Sequence, residues 1–501
     1  MDLGAPPTSA QSSRPASLLE DPASSLFGRA TGAFVVLLAC TCVQLCRVTG
    51  STTAWNSLWA EDGAIFATDA YHYSLLDNLF RTHAGYYQVI ARLVAQPAAH
   101  IPVIAAAAWM NWSAAAVASL CGLIVWNRVG LVVHHRLTRL LLAALVPLMP
   151  QLVFEITGAV NDLHWYLIIA LFWVLLVPPK SYRGAAGAAL LALLASLSDP
   201  LAGIMLFAGM LGWYLTQCET LRNWQERETL RQWAVAAAGS IALVAGEIAQ
   251  YLVHSAQPTS AVDHGALVQI YAVRVLLSSL VGDRIVQVLY SDLGLVVGIL
   301  AALCMITILL MLYRSVRLSP TGLRAGLAII LSVVSLVVEL ETRGDMGILT
   351  RHPALLNGSR YTIVPLWLVY SAVLLLVDQR FAVDQRLGVD QRFAVDRRFG
   401  HSEPRSARTP TILIFIAVWL VAEALTEASV VTIRSAAPSW SQSVNQAKAS
   451  CTRPASLRYR QQPLISDGLR VAPDEVVIPV APLAPAPPPY AVIVSCPRLE
   501  K

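Results

Sequence analysis

Apolar runs dominate this chain, and they are too numerous for one water-soluble core. Eleven of them predict membrane-spanning helices, at about 31–47, 103–126, 139–156, 163–178, 185–198, 200–216, 233–253, 292–313, 322–340, 361–377 and 410–430. Several are shorter than the ~20 residues a straight span needs. The 185–216 stretch reads either as a tight hairpin around Ser198-Asp199-Pro200 or as one re-entrant element. Residues 266–291 have an amphipathic pattern and predict a surface helix, not a span. The pattern changes at both ends. Residues 1–30 are rich in Ser, Pro and Ala and predict a disordered lead. After residue 430 the apolar periodicity stops. There Val476-Val477-Ile478 and Ala491-Val492-Ile493-Val494 flank a Pro-rich stretch at 479–489 and predict short strands. The expected architecture is an all-α polytopic membrane protein of about 11 transmembrane helices. It comprises a lead (1–30), a transmembrane domain (31–430) with a first outer loop at 48–102, and a small α+β tail (431–501).

Composition agrees with this pattern. The chain is 56% hydrophobic and 13% charged, against about 25% charged in ordinary soluble domains; mean hydropathy is +0.58. The location of charge says more than the net +5. With the N-terminus inside, the inner loops 127–138, 179–184, 217–232, 314–321 and 378–409 all carry Arg or Lys. The short outer turns at 157–162 and at Asp199 carry neither. That asymmetry follows the positive-inside rule and places residues 48–102 and the tail outside. Lysine is confined to Lys180, Lys448 and Lys501, as in GC-rich bacterial genomes. A bacterial inner (cytoplasmic) membrane location is expected, with no nucleic-acid partner.

Two further features belong to this frame. Residues 377–400 repeat VDQRFA, VDQRLG, VDQRFA, VDRRFG, which predicts a basic cytoplasmic linker within 378–409 in preference to a partner or anionic-lipid surface. Cys40, Cys42, Cys46, Cys121, Cys304 and Cys218 lie in or near apolar segments and behave as small hydrophobes. Cys451 and Cys496 stand apart in the tail. Outside the membrane they can form a disulfide closing a loop of about 45 residues, worth about 3–4 kcal/mol by chain entropy.

Candidate chemistry centres on Trp59-Ala60-Glu61-Asp62-Gly63, directly after the first span. Adjacent Glu61 and Asp62 can orient and deprotonate an acceptor hydroxyl, or hold a divalent metal such as Mg or Mn. They also suit a plain helix cap. Arg360, beside Tyr361 and after Gly358-Ser359, is the first candidate cation for a phosphate; Arg343 and Arg351 share its loop. Arg81, His83, Tyr86, Asn161, His164 and Trp165 are candidate substrate contacts, although Trp165 also fits an interfacial aromatic belt. Asp162, Asp199, Asp263, His264, Arg274, Asp283 and Arg284 are further outer-face candidates. Glu155, Glu247, Glu339 and Glu423 lie in or near apolar runs, where acids are costly and often functional.

A first span, a long outer loop with an acidic pair, then many further spans resembles the GT-C superfamily of polyprenyl-phosphate-sugar-dependent membrane glycosyltransferases. Within it, Trp59-Ala60-Glu61-Asp62-Gly63, Gly85-Tyr86-Tyr87…Arg92-Leu93, Gly358-Ser359-Arg360-Tyr361…Pro365 and the paired tail cysteines are similar to an uncharacterised bacterial branch. The resemblance implies a GT-C-like fold and an inverting transfer on the outer face. It implies a polyprenyl-phosphate-linked sugar as donor, a cell-envelope glycan or lipid as acceptor, and an acid of the first loop as base or metal ligand. It leaves open which of Glu61 and Asp62 that is. The chain contains no Walker A loop, Rossmann glycine fingerprint or HExxH. Two other readings compete: a transporter or flippase of a lipid-linked precursor, and a non-catalytic membrane scaffold.

Overall fold

The computed structural model describes residues 22–48, 52–153, 155–220, 226–253, 264–316, 319–343, 359–395, 408–428, 439–452, 471–472, 474–480 and 490–500. The chain is a mostly helical, multi-pass membrane protein. Among the described residues, eight helices are long and apolar enough to cross a membrane: Val103–Val129, Arg136–Val153, Pro200–Cys218, Arg231–Val253, Val296–Arg314, Pro320–Thr342, Ser359–Arg380 and Thr411–Ala428. The other three expected spans are the shorter apolar helices Thr31–Cys46, Leu163–Leu176 and Tyr182–Ser196.

Burial explains how a short helix can stand at the centre. Every residue of the Leu163–Leu176 helix is buried, so protein surrounds it on all sides. It packs with Ile363–Val395, whose Ile363, Val364, Leu366 and Trp367 are equally buried. Phe172, Trp173 and Trp367 meet edge to face between them. Helices on the periphery show the opposite pattern. Ile299, Leu303, Ile306 and Leu310, and likewise Ile412, Phe415 and Val418, face outward, as apolar side chains do against lipid tails. Small residues set the closest approaches. A Cβ on Gly212 would run into the Leu175 carbonyl oxygen, and one on Gly246 into Ser196 Oγ.

Several expectations need correction. The first helix begins at Pro22, not near residue 31, so the predicted disordered lead is helical over 22–30; residues 1–21 lie outside the described residues. The repeat is not a loop throughout, because the Ile363–Val395 helix runs on into it. Between 377 and 395 the repeat carries one helix breaker, Gly388, so helix propagation meets little resistance. The 266–291 stretch is not one surface helix. It divides into His264–Ile270, a π-type segment Tyr271–Leu277, Ser278–Val281 and Asp283–Leu293, with Gly282 at φ +79° breaking the last two. Residues 185–216 lie in two helices, Tyr182–Ser196 and Leu206–Thr220, joined through the 3-10 segment Pro200–Met205.

The two expected strands are present in the tail, and they pair in an antiparallel sheet. Strand β1 (Glu475–Pro479) pairs with β2 (Ala491–Ser495) in the register Glu475↔Ser495 to Pro479↔Ala491. A helix, Trp440–Cys451, packs beside it, and Cys451 and Cys496 are joined in a disulfide with Cα atoms 5.6 Å apart. The tail sits on the first loop. Ile493 N donates to Thr68 Oγ1 (3.1 Å), Trp440 Nε1 to the Val103 carbonyl (2.9 Å), and Asn56 Nδ2 to Ser439 Oγ (2.8 Å). His72 meets Glu475 at 2.7 Å. Arg498 donates to the carbonyls of Tyr71 and Ala99. Gly63 packs directly against the tail, since a Cβ there would lie 2.9 Å from Val480 Cγ1 and 3.0 Å from Val492 Cγ2.

Candidate active site

Four segments far apart in sequence converge beside this tail. The first is the acidic loop. Ala60 holds φ +33°, an unfavourable value for a residue with a Cβ. The chain then enters a π-type turn at Asp62–Ala67, a geometry frequent at functional sites. Trp59, Ala60 and Ala159 form a small apolar cluster against Tyr490 of the tail. That packing offsets the backbone strain and fixes where the next two side chains emerge.

Asp62 and Glu61 leave this turn into different surroundings. Asp62 is 1% exposed, and its Oδ1 accepts from the Asn161 backbone N–H at 2.7 Å. Glu61 Oε1 lies 3.7 Å from Arg360 Nη1. Arg360 sits in the short 3-10 turn Ser359–Thr362 that opens the long central helix, with its guanidinium 5.1 Å from the Tyr361 ring centroid. The backbone beneath it is held by Glu155. Oε2 of that residue accepts from Ser359 Oγ and from Arg360 N–H, both at 3.3 Å.

Asp162, directly before the Leu163–Leu176 helix, completes the carboxylate group. It is fully buried and accepts from Trp165 Nε1 at 3.3 Å. Burial pushes its carboxyl well above the usual range. The Arg360 guanidinium opposes that, while Asp62, Glu155 and Glu61 add to it. Carboxylates sharing one site cannot all ionise at the usual pH, so Asp162 retains its proton more readily than an exposed aspartate. Two residues on, His164 Nε2 lies 3.2 Å from Asp199 Oδ2, with both side chains buried, and the His164 and Trp165 rings are 4.2 Å apart.

The structure thus brings together Glu61, Asp62, Asn161, Arg360 and Tyr361, with His164 and Trp165 alongside. Arg81, His83 and Tyr86 belong instead to the framework of the first loop. Arg81 is engaged by Asp69 (3.4 Å) and lies over the Tyr73 ring (3.8 Å). Buried Arg92 reaches Asp69 at 2.7 Å and Asn78 at 2.5 Å. His83 and Tyr86 exchange backbone hydrogen bonds, and His83 meets Phe66 edge to face. Arg351 and Asp263 lie outside the described residues. Arg343 ends the Pro320–Arg343 helix with its side chain outside them, and the side chain of His264 is likewise not described. Arg274, Asp283 and Arg284 fall in a separate polar group with Glu423, Glu427 and Tyr370, where Arg284 N–H donates to Glu427 Oε1 at 2.9 Å.

Sequence reasoning named Glu155 and Asp162 only as further candidates, outside the proposed site, and missed Tyr490. Glu155 had a signal, an acid at the end of an otherwise apolar run; Tyr490 had none, because its place depends on tail docking. Among the described residues no group of three or more His, Cys, Asp or Glu side chains is arranged to hold an ion. Arg360 already faces Glu61, and Asp62 Oδ1 already accepts a backbone hydrogen bond.

No family model matches this chain, and no curated protein matches it. Among solved structures it is similar to the crystal structure of the Archaeoglobus fulgidus oligosaccharyltransferase tethered by a disulfide bond to an acceptor peptide containing the NVT sequon. The two are 13% identical, with a TM-score of 0.40, over 86% of this chain and 58% of that one. The chain therefore spans little more than half the length of that structure. At this identity and score the likeness says nothing about what this chain binds.

Proposed function

We propose that the chain is a GT-C-type membrane glycosyltransferase. It moves a sugar from a polyprenyl-phosphate donor to a cell-envelope glycan or lipid acceptor on the outer face of a bacterial cytoplasmic membrane. One observation carries this reading: Glu61 of the first loop's acidic pair faces Arg360 at the mouth of a late span, with Asp62 buried next to it in the chain. Inverting glycosyl transfer needs that pairing of charges. The acceptor oxygen attacks the anomeric carbon, and its proton passes to a carboxylate. The bond from that carbon to the phosphate oxygen breaks, and the electron pair leaves with the lipid phosphate, whose charge a guanidinium stabilises. Asp62 is the base in this scheme, because a backbone N–H holds one of its oxygens and leaves the side chain oriented. Arg360 receives the phosphate, exchanging Glu61 for it. His164 and Trp165 line the sugar-binding wall. The tail on the outer side, with its disulfide, agrees with an oxidising compartment.

A second reading draws on the buried group at Glu423, Glu427, Asp283 and Tyr370. Ionisable side chains inside a membrane bundle also mark transporters, here of a lipid-linked precursor. One experiment separates the two. Envelope glycans of a deletion strain are compared by mass spectrometry after complementation with wild type or with the Glu61→Gln/Asp62→Asn double variant at matched expression. A sugar restored only by the wild type supports the transferase; restoration by both moves transport to first place.

A further inference from the structure

The phosphate site proposed above depends on one guanidinium, and a guanidinium is only as well placed as the backbone that carries it. Arg360 stands at the first turn of a long helix, where backbone N–H groups have no intrahelical partner. Such a turn frays unless something accepts from it. Here the acceptor comes from a different part of the chain. Glu155 Oε2 takes both the Arg360 N–H and the Ser359 hydroxyl. Glu155 is 4% exposed, so water does not compete for these bonds. Its own segment is fixed as well: Arg47 Nη2 donates to the carbonyls of Met149 and Pro150, both at 3.0 Å, tying the end of the first helix to this turn.

We infer that Glu155 is a positioning residue for donor binding. It holds Ser359 and Arg360 so that the guanidinium meets the donor phosphate, and it touches neither sugar nor acceptor. This rests on the reading of Arg360 as the phosphate-binding cation. Two charges act on Arg360 from different sides, and they separate by role. Glu61 faces the guanidinium and is displaced when phosphate arrives. Glu155 faces the backbone and stays.

The test uses the full chain in detergent or nanodiscs and geranyl phosphate as probe, titrated by equilibrium binding. Glu155→Ala is expected to weaken binding by about ten- to a hundredfold, the scale on which small misplacements of a binding group act. Glu155→Gln retains an oxygen that can accept both bonds, and is expected to recover most of that loss. Ser359→Ala removes one of the two bonds and is expected to weaken binding by less than Glu155→Ala. The double variant Glu155→Ala/Arg360→Ala is expected to bind no more weakly than Arg360→Ala alone, because a misplaced guanidinium and a missing one are the same defect. Binding by Glu155→Ala equal to wild type, or losses that add in the double variant, overturns the positioning role. Unchanged binding by Arg360→Ala overturns the phosphate site itself, a separate failure. If Glu155→Ala does not fold, the Glu155→Gln and Ser359→Ala arms decide: weaker binding in Ser359→Ala than in Glu155→Gln supports the role, and wild-type binding in Ser359→Ala removes it.

Discussion

Asp62 and Glu61 are neighbours in sequence with different fates, and the difference lies in what each carboxylate meets. Asp62 accepts from a backbone amide, a partner that does not move away when substrate arrives. Glu61 meets a side chain that the proposed reaction needs for something else. The two substitutions should therefore separate. Asp62→Asn is expected to lower kcat by about a hundred- to ten-thousandfold, the usual worth of a general base, with donor affinity nearly unchanged. Glu61→Gln is expected to keep most of kcat and to lower the donor KM, since phosphate no longer displaces an ion pair. Steady-state kinetics with a defined donor checks both; equal losses of kcat in the two variants would remove the division of roles. Asp162 adds a pH dependence. Its folded value is raised by burial, so the folded state holds a proton that the unfolded chain gives up near pH about 4. The associated stability is whole below that pH and is lost as pH rises to the folded value. Thermal unfolding in detergent should show this decline in wild type, and Asp162→Asn should flatten it.

Elements were legible where local pattern decides them. The strands came from two β-branched runs on either side of a proline-rich stretch, and β1 and β2 lie within a residue of where those runs stand. Long helices came from apolar length. Their ends did not, because hydropathy reports what lipid touches and not how far a helix continues. The helix from Pro22 and the extension to Val395 both pass beyond the apolar core of their spans. The site was half legible. An acidic pair and a late arginine announce themselves as polar groups at span mouths. Their partners do not: Thr68 meets Ile493 across 425 positions, and Glu155 meets Ser359 across 204. Gly63 shows how docking constrains an element. Gly63→Leu is expected to push Val480 and Val492 away, at about 1–3 kcal/mol for an overpacked contact. Limited proteolysis should then cut the tail faster while the spans stay protected. An unchanged cleavage rate would mean that the tail is held without this contact.

At the scale of the whole molecule, the tail, the first loop and the mouths of the central helices lie together at one end of the bundle. The opposite end is marked by Asp378, fully buried, which accepts from the backbone N–H groups of His134 and His135 at 3.0 and 2.8 Å. The donor reading requires the first end to face away from the cytoplasm, where polyprenyl-linked sugars meet their acceptors. Two properties of the chain support that direction independently: the basic loops cluster toward the other end, and the tail carries a disulfide. The disulfide and the orientation can be tested in one strain. A phosphatase that folds only under oxidising conditions, fused after Lys501, is expected to be active, and a fluorescent protein that matures only in the cytoplasm is expected to be dark there. On non-reducing gels the wild-type chain should run ahead of Cys451→Ser and lose that lead on reduction. An inactive phosphatase and a bright fluorescent fusion, with no gel shift, would put the tail inside. Asp62 and Arg360 would then face the cytoplasm, and the outer-face transfer proposed here would fall. An active phosphatase without a shift would leave the orientation intact and remove only the disulfide, so tail docking would rest on the noncovalent contacts: the hydrogen bonds of Asn56, Trp440, Arg498 and Ile493, the His72–Glu475 pair and the packing at Gly63 and Tyr490.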